Sequence, residues 1–186
     1  MTKSIVISGP PAVGKTTVAK GLAEEFELIY LSGGDVLKEM AKDHGFDSQG
    51  DDWWDTEDGM KFLNQREENS EFDKKLDKKL TELFNEGKMV ITSYTLPWLI
   101  KDGIKIWLEG SRESSTKRMQ SRDNMSSENA YEITKSRFDK NKALYKKLYG
   151  FNFGDDKAVF DVIINTDNLT ANQVIDVTTE TVRKLL

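Results

Sequence analysis

Residues 9–17 read GPPAVGKTT and follow directly on SIVIS. This stretch restricts the chain more than any other. It fits G-x-x-x-x-G-K-[ST] at Gly9, Gly14, Lys15 and Thr16. Gly9 and Gly14 let the backbone turn tightly and bring N–H groups against phosphate oxygens. Lys15 neutralises β/γ-phosphates, the Thr16 hydroxyl ligates Mg²⁺, and the following helix points its positive end at the same place. Four specified positions arise by chance in about one chain in a hundred. Here they also stand between an apolar run and a helical pattern, which is the context the chemistry needs. A nucleoside triphosphate is therefore expected on Gly9, Pro10, Pro11, Ala12, Val13, Gly14, Lys15, Thr16 and Thr17.

Short apolar runs then alternate with longer helical patterns, as in βαβ units around a parallel sheet. Strands are expected at 4–8, 28–31, 89–93, 104–108 and 160–165. Their Ile and Val content with little alternation reads as burial on both faces. Helices are expected at 15–26, 35–43, 71–85, 112–122, 127–149 and 171–186, with Gly45 ending the second and Thr170 capping the last. The segment 47–59, DSQGDDWWDTEDG, reads as an insertion or loop.

Composition removes several classes. With 186 residues, 37% hydrophobic and 32% charged, the chain reads as a single globular domain. A net charge of -5 gives no general attraction for nucleic acid. Cysteine is absent, so thiolate metal sites and disulfides are excluded. No apolar run approaches the length of a membrane span, and no signal peptide is evident, so a cytoplasmic monomer or homodimer is expected. His44 is the only histidine, and beside a helix end it reads as a surface or capping residue.

Three further stretches carry a resemblance. YLSGGDVLKEMAKDHG (30–45) resembles the second strand and acceptor-binding helix of nucleoside monophosphate kinases, and KRMQSR (117–122) resembles the entry to their lid. SRFDKNKALYKKLYGFNFGDD (136–156) and FDVIINTDNLT (160–170) resemble the archaeal cytidylate kinase branch. The resemblance implies a P-loop NTPase fold, three-layer α/β/α, with a five-stranded parallel sheet. It also implies an acceptor-binding insertion at about 33–87 and a helical lid at about 111–150. It implies ATP and Mg²⁺, with Asp35 orienting the metal through water. Arg118 would lie near the adenine and phosphates, and Arg122 and Arg137 near the transferring phosphoryl group. Mobile guanidinium forks suit that task, because phosphoryl transfer needs mostly positioning and neutralisation of oxygen charge. The bland reading of the three arginines is a solvated helix face, and that of Asp35 a helix cap.

Two departures from the family pattern fall on the acceptor side. The Arg that ends GDxxR is Lys38 here, and VITSYTLPW places Ser93 and Tyr94 where a Gly-Arg pair is usual. A bidentate fork is thus replaced by a point charge and by hydroxyls. Lys38, Arg66, Ser93 and Tyr94 are the candidate contacts for a small phosphorylated acceptor, with Trp53 and Trp54 as walls of its pocket or as anchors of the insertion. These losses lean the reading toward mevalonate 3-phosphate, the substrate of a cytidylate-kinase-like group, with CMP as the alternative. A P-loop regulatory ATPase and a nucleic-acid-end kinase are the rivals.

Overall fold

Runs rich in Ile and Val become strands because their branched side chains fit a pleated, buried surface. The strands are β1 (Ile5–Ser8), β2 (Ile29–Ser32), β3 (Met89–Thr92), β4 (Ile104–Glu109) and β5 (Val162–Asn165). In the computed structural model they form one parallel sheet in the order β2-β3-β1-β4-β5. The structure describes residues 3–43, 45–46, 53, 56–68 and 71–186, without the side chains of 63 and 66–68. His44, Trp54 and the Arg66 side chain lie outside the described residues.

The sheet is covered on both faces. Ile5 and Ile7 point one way, where α1 (Lys15–Glu25) and α8 (Ala171–Leu185) bring Val18, Leu22, Val174 and Val182. Val6 and Ile91 point the other way, onto α2 (Gly33–Asp43), α4 (Glu71–Glu86) and α5 (Leu96–Leu99), which supply Val36, Leu37, Leu80, Phe84 and Leu96. Also on that side, Trp107 of β4 gathers an aromatic cluster with Tyr145, Phe151 and Phe153. The remaining helices are α3 (Glu57–Glu68), α6 (Arg112–Asp123) and α7 (Ser127–Tyr149). The layers are α/β/α as expected.

Helix starts follow local chemistry. Ser111, Ser126 and Thr170 each cap a helix by accepting from the N–H three residues on, and Thr170 with Gln173 forms a full capping box. Gly150 ends α7 in the left-handed conformation that a Cβ would disfavour.

Some expectations need correction. The outer strands are not buried on both faces: Ile29 of β2 is 64% exposed and Ile163 of β5 48%, because each has a neighbour on one side only. Helix α2 begins at Gly33, two residues early, where the Ser32 hydroxyl accepts from the Asp35 N–H at 3.3 Å. The loop assigned to 47–59 gives way to α3 at Glu57, helped by the Thr56 hydroxyl, which accepts from the Gly59 N–H at 3.2 Å. Short α5 escaped notice because its LPWL run has no helical periodicity to display. Trp53 is an anchor, not a pocket wall: it is 2% exposed and packs on Phe62 at 5.7 Å between ring centroids.

Phe153 is fully buried and touches the rings of Tyr94, Trp98, Trp107, Phe138 and Tyr145. Phe153→Ala is expected to cost about 3–5 kcal/mol of unfolding free energy, read from urea titration. A loss below about 1 kcal/mol would mean the cluster collapses onto the vacancy.

Candidate active site

β1 is the central strand, so the chain leaving its C-terminal end emerges in the middle of the sheet edge. There it forms the loop 9–14 and enters α1. A Cβ on Gly9 would stand 2.3 Å from the Leu108 carbonyl oxygen, so no larger residue fits without moving β4. Gly14 occupies a left-handed conformation, φ 96°, and leaves α1 without a side-chain cap. The first N–H groups of α1 therefore remain available to an anion, next to the exposed hydroxyls of Thr16 and Thr17.

A cleft of about 640 Å³ opens over this loop and spreads to both sides of it. Toward β2 and β3 it is walled by α2, α4 and the turn after β3, through Leu37, Lys38, Asp73, Leu76, Ser93 and Tyr94. Toward β5 it is walled by Arg118, Thr166, Leu169 and Val174. Ala12 to Thr17 lie at the centre, under Arg122 of α6 and Arg137 and Lys140 of α7. Seven Lys and Arg side chains line this cleft against three carboxylates, in a protein whose net charge is -5. Such a concentration of positive charge on an acidic molecule is built for a polyanion.

The central cation is Lys15. Its ammonium donates to the carbonyls of Gly9 at 3.0 Å and Pro10 at 2.6 Å, and sits 4.8 Å from the centroid of the Tyr94 ring. Burial holds it below the ordinary lysine value; the Tyr94 phenol opposes that shift and the Arg137 guanidinium adds to it. Gly9, Pro10 and Pro11 were expected on the nucleotide, but only Ala12 onward faces the cleft. The first two turn their carbonyls to Lys15, and Pro10 and Pro11 line a smaller hollow behind the loop.

The other expected residues divide between the two sides. Arg118 is fixed at the exit of β5, donating to the Thr166 hydroxyl at 3.0 Å and its carbonyl at 2.7 Å. Arg122 is gripped by the Asp123 carboxylate through Nε at 2.5 Å and Nη2 at 2.6 Å. Lys38 pairs with Asp35 at 3.5 Å across one turn of α2, so the expected acceptor cation and metal-side carboxylate are partners in this state. Ser93 is 8% exposed and its hydroxyl accepts from the Thr95 and Leu96 N–H groups at 3.3 and 3.1 Å. That hydroxyl starts α5 rather than pointing freely into the cleft. The Tyr94 ring packs edge-on to Phe153 at 5.4 Å.

Four cleft residues escaped the sequence reading: Asp73, Asp77, Lys140 and Thr166. Asp77, 4% exposed, accepts from the Thr95 hydroxyl and from Tyr149 Oη at 2.6 Å, tying α4 to the turn after β3 and to the end of α7. Burial and the Asp77 carboxylate push the Tyr149 phenol up. Lys140 donates to Asn64 Oδ1, joining α7 to α3. A signal existed for the two acids: Asp73 and Asp77 sit among Phe72, Leu76 and Leu80, on the apolar side of a helix where carboxylates are costly.

A glycine-rich loop at the helix start, a buried lysine, and arginines on a pair of overlying helices together make a phosphoryl-transfer site. The protein is a phosphotransferase of the P-loop kinase fold. The model of the cytidylate kinase-like family matches residues 4–168, and the chain belongs to that family. The cytidylate kinase of Sulfurisphaera tokodaii is 35% identical over 174 residues, spanning 91% of this chain and 89% of that protein. That of Methanocaldococcus jannaschii is 28% identical over 186 residues, spanning 97% and 98%. Among solved structures, a shikimate kinase from Bacteroides thetaiotaomicron aligns with TM-score 0.62 at 14% identity, covering 98% of this chain and 97% of its own. A gluconokinase from Sinorhizobium meliloti aligns with TM-score 0.55 at 16% identity, covering 99% and 93%. Those two likenesses concern the fold alone. No helix among the described residues is long and apolar enough to cross a membrane.

The state of Lys15 makes a pH-dependent prediction. Its pKa lies below 10.5 in the free protein, and an anion in the cradle raises it. Binding of tripolyphosphate is therefore expected to take up protons in the alkaline window just under 10.5. Calorimetry in two buffers of different ionisation enthalpy measures that uptake, and Lys15→Ala should remove it. Equal uptake by the variant would assign the effect to another group.

Proposed function

We propose that the protein transfers the γ-phosphoryl group of ATP to the phosphate of CMP, yielding ADP and CDP. The observation that carries this reading is the two-sided cleft, with the loop and Lys15 between its halves. A nucleoside triphosphate laid across it places its base by Arg118, Leu169 and Val174 and its γ-phosphate over the first turn of α1. The β2–β3 side is then left for the acceptor. The relatives named cytidylate kinase, which align along most of the chain, support CMP there.

The chemistry needs little beyond position and charge. A CMP phosphate oxygen forms the new P–O bond while the bond from the γ-phosphorus to the β,γ-bridging oxygen breaks. With a second phosphate pKa of about 6, the acceptor is already dianionic at neutral pH, so no general base is required. Lys15, Arg122 and Arg137 neutralise the oxygens of the transferred group as charge shifts toward the leaving ADP. To reach those oxygens, Lys15 exchanges two backbone carbonyls for phosphate, and Arg122 leaves Asp123. Closure of α6 and α7 over the cleft excludes water, the competing acceptor.

The residues present fit Mg²⁺ held largely by the phosphates, since the described residues contain no cluster of three or more His, Cys, Asp or Glu. Thr16 offers a hydroxyl and Asp35 a carboxylate for a bound water. When present, the ion neutralises β- and γ-phosphate charge.

A second reading is a phosphorylated alcohol, mevalonate 3-phosphate first among them. It is favoured by Lys38 and Tyr94, neither of which can grip a nucleotide phosphate with a guanidinium fork. An alcohol must lose a proton, and Asp35, on the cleft wall beside Lys38, would be the group to take it.

Assay of ATP-dependent phosphorylation of CMP, UMP and mevalonate 3-phosphate decides between the readings. CMP is expected to give the highest kcat/KM; turnover of mevalonate 3-phosphate alone would establish the alcohol reading instead. Lys15→Ala should lower kcat by about 100-fold or more in a folded protein. Arg122→Ala and Arg137→Ala should lower kcat more than they raise the KM for ATP, with Arg118→Ala showing the opposite balance. Raised ATP KM alone in both lid variants would make their role one of ground-state binding.

A further inference from the structure

Asp73 is the acid of the cleft to which neither structure nor phosphate chemistry gives a task. Its carboxylate is 2% exposed, it sits in the first turn of α4, and it belongs to the β2–β3 half of the cleft. A negative charge there cannot serve the phosphates, which it repels. Asp77, one turn further along, has a structural task already: Thr95 takes one carboxylate oxygen and Tyr149 the other. Leu37 and Leu76 stand on the same wall and offer apolar surface to a flat ring.

We propose that Asp73 is the residue that reads the acceptor base, accepting a hydrogen bond from the exocyclic amino group of cytosine and so selecting CMP over UMP. This rests on the CMP reading and adds a cause for base selectivity. With the acceptor phosphate drawn to Lys15 and the lid arginines, the base must project away from them, along α2 and α4. Cytosine presents an N4 amino donor at the edge where uracil presents the O4 carbonyl. A carboxylate bonds the first and repels the second, whose lone pairs would face it with no proton between them. A site built to bond a donor rejects the analogue that lacks it far more strongly than an apolar pocket rejects a change of size.

The test compares kcat/KM for CMP, UMP and the monophosphate of pyrimidin-2-one riboside, which lacks the amino group. It uses the wild-type protein, Asp73→Asn and Asp73→Ala. The wild type should favour CMP over both others by about tenfold or more. In Asp73→Asn the amide can donate to O4, so the preference for CMP over UMP should collapse or invert. In Asp73→Ala, CMP and the pyrimidinone nucleotide should become equivalent. A merely structural role would lower all three substrates together and leave their ratios unchanged, which would overturn the proposal. The pyrimidinone substrate keeps the test open if the variants fail to fold: full activity with it in the wild type would also overturn the proposal. Wild-type protein that phosphorylates CMP and UMP equally well would sink the role of Asp73 while leaving nucleotide kinase activity standing. Wild-type protein inactive on both would sink the CMP reading and Asp73 with it.

Discussion

Everything in the site is arranged around the contact between Gly9 and β4. The backbone of the loop passes so close to the Leu108 carbonyl that a single added carbon would stand 2.3 Å from it. That approach sets where the loop turns, and therefore where the uncapped start of α1 points. Lys15, the first residue of α1, folds back onto the loop's own carbonyls, which keeps a partly buried ammonium satisfied when no phosphate is near. The cradle is thus preformed and electrically poised: its N–H groups need an acceptor, and its lysine can trade carbonyls for phosphate with little reorganisation.

From that centre the molecule divides in two. The β4–β5 side carries a fixed guanidinium, Arg118 locked on Thr166. The β2–β3 side is held by a buried carboxylate, Asp77, which brings Thr95 and Tyr149 to one point. Thr95 follows Tyr94, whose ring lies beside Lys15, so the same carboxylate helps place the wall next to the central cation. Tyr149 ends α7, the helix that also carries Arg137 and Lys140 over the cleft. The acceptor wall and the overlying helix therefore share a hydrogen-bonded anchor, and movement of one is felt by the other.

Local signals were strong where chemistry is local. The motif at 9–17 announced the cradle, the apolar runs announced five strands, and Thr170 with Gln173 announced a helix start that the structure reproduces as a capping box. They were weak where a residue's role depends on distant company. Ser93 looked like a free hydroxyl, yet it caps α5, a four-residue helix too short to show a period. Trp53 looked like a pocket wall, yet it packs beneath α3 on Phe62. Asp73 and Asp77 were visible as acids on an apolar helix face, but nothing in the chain order said that Tyr149, 72 residues on, would meet the second of them.

The sequence by itself determined the strand–loop–helix unit, the alternating layers and the presence of a phosphate cradle. Each of these follows from residues within a few positions of one another: glycines at the turn, branched side chains in runs, and Lys and Thr at a helix start. Only the tertiary structure decided the cleft's two-sidedness, the gathering of seven cations in an acidic protein, and which carboxylates are spent on the fold. Those depend on a sheet order, β2-β3-β1-β4-β5, that puts the first strand in the middle. Strand order is set by how whole faces pack, so side chains from α1, α2, α4, α6 and α7 meet around one loop although no stretch of sequence holds them together.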